Sequence, residues 1–129
     1  MFTSEATTRG IRIAVRSAYI PERSLPEQNQ WFFVYRVRIS NEGTETAKLI
    51  SRHWIITDAN NQVQEVRGLG VVGEQPLLLP QETFEYTSGA AIATPVGTMR
   101  GSYRMQAEDG ENFDAPIPEF TLSIPRVLH

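Results

Sequence analysis

The pattern of apolar and polar positions predicts a series of short β-strands. Apolar residues alternate with arginine and alanine over 10–16, and residues 31–39 are apolar on both faces in their first half, as in a central strand. Further strands are predicted over 47–57, 62–67, 77–79, 84–87 and 98–105, with a last one carrying Phe120, Leu122 and Ile124. No apolar stripe at helical spacing extends beyond a single turn. We therefore predict an all-β fold, an immunoglobulin or fibronectin type III-like antiparallel sandwich of seven to eight strands, in preference to a small barrel.

Turn-forming residues divide these strands and set their limits. We expect a single domain with its core at about 10–125, preceded by a flexible lead-in over residues 1–9. The pair Asn60-Asn61 predicts a tight hairpin turn, because asparagine tolerates the left-handed backbone region. Residues 88–97, which contain two glycines and a proline, predict a connection between strands.

A glycine-rich loop follows the hairpin, with the sequence Arg67-Gly-Leu-Gly-Val-Val-Gly-Glu-Gln-Pro76. Gly68, Gly70 and Gly73 have the G-x-G-x-x-G spacing of dinucleotide-binding turns. That mechanism also needs a helix directly after the glycines, and prolines follow here instead. Two interpretations remain. The loop N–H groups form an anion-binding nest assisted by Arg67 and Arg52, or the glycines allow a bulged crossing between sheets.

Arg52 and Trp54 fall on the same face of the predicted strand over 47–57. If that face is the core, Arg52 is buried and needs a carboxylate partner. If it is not, an exposed tryptophan beside an arginine indicates an interface. We favour the buried ion pair.

Catalytic and metal-binding patterns are missing from the sequence, so we predict neither catalytic residues nor a cofactor. His53 has no cysteine, histidine or aspartate at ligand spacing and is expected to be an ordinary strand histidine. The acidic turn over 108–114 lacks the spacing of a calcium loop. There is no cysteine and no G-x-S-x-G nucleophile motif.

Composition narrows the classes of function further. The formal net charge of -3 and the pI near 5.4 argue against a non-specific nucleic-acid-binding protein. The longest apolar run, residues 31–35, is too short to insert into a membrane. Because there is no cysteine and no signal-peptide pattern, we expect a soluble cytoplasmic protein.

Arginine accounts for eleven of the twelve basic residues. Strand parity directs six of them away from the core: Arg12, Arg16, Arg36, Arg38, Arg100 and Arg104. They form one basic face if their strands share a sheet. They do not if the topology divides them between two sheets, or if Glu85 neutralises some of them across strands.

Four motifs, in matching order and spacing, resemble the ApaG family over about residues 11–124. They are Ser51-Arg-His-Trp-Ile-Ile-Thr-Asp58, Gly68-Leu-Gly-Val-Val-Gly-Glu-Gln-Pro76, Tyr86-Thr-Ser-Gly89 and Gly97-Thr-Met-Arg-Gly-Ser-Tyr103. The resemblance implies a fibronectin type III-like sandwich and a bacterial cytoplasmic protein associated with cobalt resistance and magnesium efflux. Related domains of F-box and polymerase-interacting proteins imply a role in protein interaction. Leu69 departs from the family, which often carries a charged residue there.

These observations leave two main hypotheses of function. The first is a non-enzymatic domain that binds a partner protein through the glycine loop, Leu69 and an edge strand at 75–79, by adding a strand to the sheet. The second is a sensor of phosphate or nucleotide anions that uses Arg67, Arg52 and the loop of Gly68, Gly70 and Gly73. An enzyme acting on polyphosphates is a third, disfavoured hypothesis, since the sequence offers no catalytic constellation.

Overall fold

The computed structural model describes residues 2–125 and arranges them as two packed antiparallel sheets. The strands are β1 (Phe2–Thr8), β2 (Ile11–Tyr19), β3 (Trp31–Asn41), β4 (Ala47–Asp58), β5 (Val63–Leu69), β6 (Leu77–Leu78), β7 (Thr83–Ile92), β8 (Val96–Ala107) and β9 (Asn112–Ser123). One sheet has the order β1-β2-β3-β7; the other has the order β5-β4-β8-β9, with β6 also paired to β4. The predicted antiparallel sandwich is confirmed, and no helix in the described residues is long and apolar enough to cross a membrane.

The core lies between the two sheets and centres on Trp54, which is 2% exposed. Its indole packs against Tyr35, Tyr103 and Phe120, with ring centroids 5.2, 6.1 and 5.9 Å away. Each such aromatic pair contributes about 0.5–1.5 kcal/mol beyond the burial of its area. The alternating residues of β2, β3, β4, β8 and β9 supply most of the rest of the core, as the sequence pattern predicted, and β6, β7 and the glycine loop add Leu78, Tyr86, Ala90, Ile92 and Val71.

The flexible lead-in predicted for residues 1–9 is wrong over Phe2–Thr8, which pairs with β2 along its whole length. Arg9 and Gly10 connect the two strands and both have positive φ, 48° and 81°, as a two-residue hairpin turn requires. The inner face of β1 carries small side chains, and Ser4 Oγ donates a 2.9 Å hydrogen bond to the carbonyl oxygen of Pro118 on β9. Small polar residues give no apolar alternation, so the sequence pattern did not reveal the strand.

The connection predicted over 88–97 is also wrong, because β7 continues to Ile92 and β8 begins at Val96. Gly89 lies inside β7, not in a turn. A Cβ atom at this position would overlap the ring of Phe32 on the neighbouring strand β3. The glycine therefore makes room for an aromatic side chain, a role that its sequence context does not distinguish from a turn.

The six outward arginines do not form one basic face, because the topology divides them between the sheets. Arg12 and Arg16 on β2 and Arg36 and Arg38 on β3 share the outer face of the four-stranded sheet. The remaining two, on β8, belong to the five-stranded sheet.

The close approach of β4 and β8 at Gly101 generates a prediction about stability. Gly101 pairs with Trp54, and a Cβ atom on it would overlap the carbonyl oxygen of His53. Because a backbone oxygen cannot move aside, we expect Gly101→Ala to lower the free energy of unfolding by about 3 kcal/mol or more. Chemical denaturation measures this directly.

Gly43→Ala is the matched control for that experiment. A Cβ atom at Gly43 would have its nearest neighbour at 3.4 Å, an ordinary contact distance, and its φ is not in the left-handed region. We expect this variant to stay within about 1 kcal/mol of the wild type. Equal stabilities of the two variants would contradict the close approach at Gly101.

Candidate functional site

The β4–β5 hairpin brings most of the predicted site residues together. The Asp58 carboxylate fixes its turn by accepting the backbone N–H groups of Asn60 and Gln62 at 2.8 and 3.0 Å. Asn61 has a φ of 61°, so the left-handed residue lies where the sequence predicted the turn. The resulting register pairs Arg52 with Gly68, His53 with Arg67 and Ser51 with Leu69.

Arg52 is half-buried on the inner face of β4, and its guanidinium lies directly against Gly68. A Cβ atom at Gly68 would be only 2.7 Å from Arg52 Nη1. Nη1 donates hydrogen bonds to the carbonyl oxygens of Leu69 and Gly70 at 3.1 and 3.0 Å. Hydrogen bonds from a charged donor contribute about 1.5–3 kcal/mol, so this side chain fixes the end of β5 to β4.

The predicted buried ion pair of Arg52 with a carboxylate is therefore wrong. The guanidinium occupies the space that Gly68 leaves beside it, and from there it reaches two carbonyl groups. The alternative, an exposed Trp54 beside an arginine, is wrong as well, because Trp54 is buried.

The glycine loop after β5 is a tight turn whose N–H groups largely bond within the protein. Gly70 donates to the carbonyl oxygen of Ile50 at 2.8 Å, while Val71 and Glu74 exchange hydrogen bonds of 2.8 and 2.9 Å. Gly70 has a φ of +62°, and a Cβ atom there would overlap the carbonyl oxygen of Glu74, so only glycine fits. Gly73 also has a positive φ, but the space around it is open.

Arg67 and Arg52 leave the sheet from opposite faces beside this loop. Strand alternation places Arg67 on the outer face of the sheet, whereas Arg52 occupies the inner face with its paired neighbour Tyr103. Arg67 Nη2 instead lies 3.6 Å from the carboxylate of Glu65. Strand alternation thus directs the two arginines of the predicted anion site to different faces, although both line one depression beside Gly68.

A shallow depression of about 510 Å³ covers the outer face beside the hairpin. It is lined by Ser51, Arg52, His53, Arg67, Gly68, Leu69, Ser102, Arg104 and Asp114. His53 Nε2 lies 2.9 Å from Glu65 Oε1 in a hydrogen bond, and Arg104 Nε lies 3.3 Å from Asp114 Oδ1. The hydrogen bond with His53, reinforced by Arg67, lowers the pKa of the Glu65 carboxyl.

His53 is therefore the hydrogen-bonded strand histidine that the sequence predicted. Within residues 2–125, no three histidine, cysteine, aspartate or glutamate side chains form a group that could hold a metal ion. The sequence pattern did not predict which residues surround His53 in the depression. The hairpin turn could have revealed part of this set, since its centre fixes which residues of β4 and β5 face one another.

Apolar side chains cluster along the edge formed by β5, the glycine loop and β6. Eight large hydrophobic residues are exposed in the described part of the chain, and six of them lie between positions 63 and 79. We call these six the apolar edge: Val63, Val66, Leu69, Val72, Leu77 and Leu79. Leu69 is the most exposed, at 75%, which agrees with the predicted role of this leucine as a surface residue.

The backbone of β5 is unpaired on its outer side among the described strands. The carbonyl group of Gln62 and the N–H group of Gly70 both bond to β4. By alternation, the backbone groups of Val63, Glu65 and Arg67 point away from the sheet. The edge strand predicted within 75–79 is confirmed at β6, which, in the part of the chain that the structure describes, pairs only with β4. The sequence pattern did not predict that β5 is an edge as well, although the apolar residues of β5 recur every three positions and so cannot share one core face.

A cluster of buried hydroxyl groups lies behind the hairpin, near Arg52. The hydroxyl groups of Tyr86 and Tyr103 share a short hydrogen bond. Burial is the main cause that raises the pKa of both tyrosines, and the positive charge of Arg52 partly opposes it. The indole N–H of Trp54 lies buried without a hydrogen-bond partner among the described residues.

Comparisons with known proteins agree on one family. A family model described as the ApaG domain matches residues 21–107. The chain is 66% identical to the ApaG protein of Thiobacillus denitrificans over 119 residues, which cover 92% of this chain and 94% of the relative. It is 62% identical to the ApaG protein of Nitrosospira multiformis over 119 residues, with the same coverage of 92% and 94%. A crystal structure from Bordetella pertussis, described as an ApaA protein, matches with a TM-score of 0.88 and 57% identity over 91% of this chain and 95% of that one.

Because the pKa values of the two buried tyrosines are raised, we expect the protein to lose stability at alkaline pH. In the unfolded chain they titrate near pH 10.0, whereas the folded protein keeps them protonated at higher pH. Stability is therefore complete below about pH 10 and falls as the pH rises towards the folded-state pKa, by up to about 1.4 kcal/mol per pH unit for each tyrosine.

Tyr86→Phe removes one of the two titrating tyrosines. We therefore expect the free energy of unfolding to fall less steeply with pH in this variant, by about 1 kcal/mol per pH unit. The free energy of unfolding, measured in denaturant between pH 9 and 11, gives the slope independently of any offset at neutral pH. A slope in the variant equal to that of the wild type would show that Tyr86 titrates alike in the folded and unfolded states, against this prediction.

Proposed function

The chain belongs to the ApaG domain family, and on that premise we propose that it is a non-enzymatic interaction domain that binds a partner protein along the apolar edge. The concentration of exposed hydrophobic side chains between positions 63 and 79 carries the proposal. Exposed apolar side chains concentrated along one edge of a folded domain mark a site of association, because their contact with water is unfavourable.

Addition of a strand to β5 is the mode of binding that the backbone supports best. The unpaired N–H and C=O groups of Val63, Glu65 and Arg67 can pair with an extended segment of the partner. Arg52 already occupies the carbonyl oxygen of Leu69, so we expect the pairing to end before that residue. The charges of Glu65 and Arg67 would then set the register, and the apolar side chains around them would supply affinity.

The family association with cobalt and magnesium handling fits this proposal as an indirect effect. The domain would influence such handling through the partner it binds, and we propose the cytoplasm as the compartment. The resemblance to fibronectin type III domains expected from the sequence suits such a role, since an open edge strand of a sandwich can pair with another chain.

The alternative, a phosphate or nucleotide-anion sensor at the loop of Gly68, Gly70 and Gly73, has less support. The N–H groups of Gly70, Val71 and Glu74 already bond within the protein. Arg67 and Arg52 occupy opposite faces of the sheet. A polyphosphate-acting enzyme has still less: Ser102 is paired with His53 across β4 and β8, but no hydrogen bond joins these two side chains in the described structure, and the His53 ring bonds to Glu65 instead.

Leu69→Asp tests the proposed edge. A charge at the most exposed apolar position would be desolvated in the complex, so we expect at least a tenfold loss of a partner captured from lysate of the source bacterium. Leu25→Asp is the matched control, since Leu25 is 43% exposed and lies outside the apolar edge. Quantitative mass spectrometry of the captured proteins compares both variants with the wild type. A partner lost equally from both variants, or from neither, would contradict binding at this edge.

Arg67→Pro tests the mode of binding for that same partner. The N–H group of Arg67 points away from β4, so proline removes a donor on the free side and leaves the β4–β5 ladder intact. We expect at least a tenfold weaker complex from this variant, and little change from Arg67→Ala, which keeps the N–H group. Equal weakening by Arg67→Pro and Arg67→Ala would show that the Arg67 side chain, not its N–H group, contacts the partner, and would contradict strand addition.

Titration with pyrophosphate and ATP distinguishes the alternative. The interaction proposal expects no saturable shift of the amide NMR signals of Gly68, Gly70 and Gly73. Saturable shifts at these glycines that disappear in Arg67→Ala would favour the anion sensor instead. Gly70→Val is unsuitable for this purpose, because its side chain would disrupt the turn itself.

A further inference from the structure

A second concave surface lies on the outer face of the four-stranded sheet, on the opposite side of the sandwich from the hairpin. It has a volume of about 260 Å³. We call this surface the arginine depression. Ala14 forms its floor, and its charged walls are Arg12, Arg16, Arg36, Arg38, Glu5 and Glu85. The depression shares no residue with the apolar edge, so conclusions about it do not depend on the proposed function.

Strand register explains why four arginines surround one alanine. Arg12 and Arg16 lie two positions before and after Ala14 on β2, so all three share a face. Arg38 on β3 is paired directly with Ala14, and Arg36 is paired directly with Arg16. The small side chain of Ala14 leaves the space that the longer side chains enclose.

The carboxylates in the depression hold some of these arginines in place. Glu85 on β7 accepts Arg36 Nη2 at 2.8 Å and Arg38 Nε at 2.5 Å, through its two separate oxygens. These two hydrogen bonds are the main cause that lowers the pKa of the Glu85 carboxyl, so it stays ionised at neutral pH. Arg12 is paired on the other side with Glu5, at 2.7 Å.

Arg16 differs from the other three, because no carboxylate among the described side chains lies within 4.0 Å of it. It faces Arg36 directly across the strand pair, and like charges in that position are destabilising. Four guanidinium groups thus share three carboxylates, Glu5, Glu42 and Glu85, and the charge left without a carboxylate is that of Arg16, which faces Arg36.

We propose that the arginine depression binds a phosphoryl dianion, with Arg16 and Arg36 as its principal ligands and Arg38 and Arg12 beside them. Guanidinium groups match the oxygens of phosphate in paired hydrogen bonds, which ammonium groups do not. A dianion between Arg16 and Arg36 would turn their repulsion into two attractions. The volume suits phosphate or pyrophosphate better than a whole nucleotide, since pockets for larger ligands span roughly 300–1,000 Å³.

Heteronuclear NMR titration with inorganic phosphate at low ionic strength tests the proposal. We expect saturable shifts of the Ala14 amide and of the arginine side-chain Nε–H signals, with a dissociation constant on the order of 1 mM or below. AMP should bind within threefold of phosphate, because the depression contacts only the phosphoryl group. AMP binding that is tenfold tighter would place the anion in a nucleotide site elsewhere and overturn the proposal.

Three variants distinguish a specific phosphate site from non-specific attraction of the anion by positive charge. Arg16→Gln should weaken phosphate binding at least tenfold. Ala14→Val should do the same while keeping every charge, because its side chain fills the floor and valine suits a strand. Arg100→Gln removes the same charge from the outer face of the other sheet and should bind as the wild type does. Equal weakening by the two glutamine variants, or an absence of saturable shifts in the wild type, would overturn the proposal.

Discussion

The packing of Trp54 opposite Gly101 is the constraint on which the rest of the structure depends. The indole occupies the inner face of β4, and its paired residue on β8, Gly101, lets the two backbones come close. With this side chain inside, strand alternation fixes the direction of the residues of β4 from Arg52 to Asp58, after the irregularity between Leu49 and Ser51. Arg52 then points inward at the edge of the sandwich, where it caps the end of β5, and His53 points outward beside Glu65.

The two edges of the five-stranded sheet differ in how they are protected from pairing with other chains, and this difference supports a binding role for the β5 edge. On the β9 side, Pro116 and Pro118 have no N–H group to donate, and β9 is covered by β1, which bonds to it through Ser4. Proline and covering strands are the usual protection of an edge against unwanted pairing. β5 has neither among the described residues, and it carries exposed apolar side chains as well. An edge left in this state is a liability unless a partner covers it.

The two outer faces of the sandwich have different chemistry and are separated by the core. The face beside the hairpin joins charged pairs, such as Arg104 with Asp114, to an apolar margin. The opposite face concentrates arginine around Ala14 with too few carboxylates to balance it. Protein association and anion binding could therefore occur on one domain without competing for residues.

The sequence by itself determined the fold class, the core positions of the strongly alternating strands, the β4–β5 turn and the family. Each of these depends on local chemistry: apolar alternation with period two, the left-handed tolerance of Asn61, or motifs in fixed order. The strand Phe2–Thr8 and the continuation of β7 through Gly89 were not determined, because small polar residues and a glycine beneath Phe32 give no local signal of a strand. Only the tertiary structure decided that Arg52 bonds to carbonyl groups, that β5 is an open edge and that the outward arginines are divided four and two. The physical reason is the same in each case: a side chain's partners depend on which strands become neighbours, and pairing between strands distant in the chain is set by the packing of the two sheets.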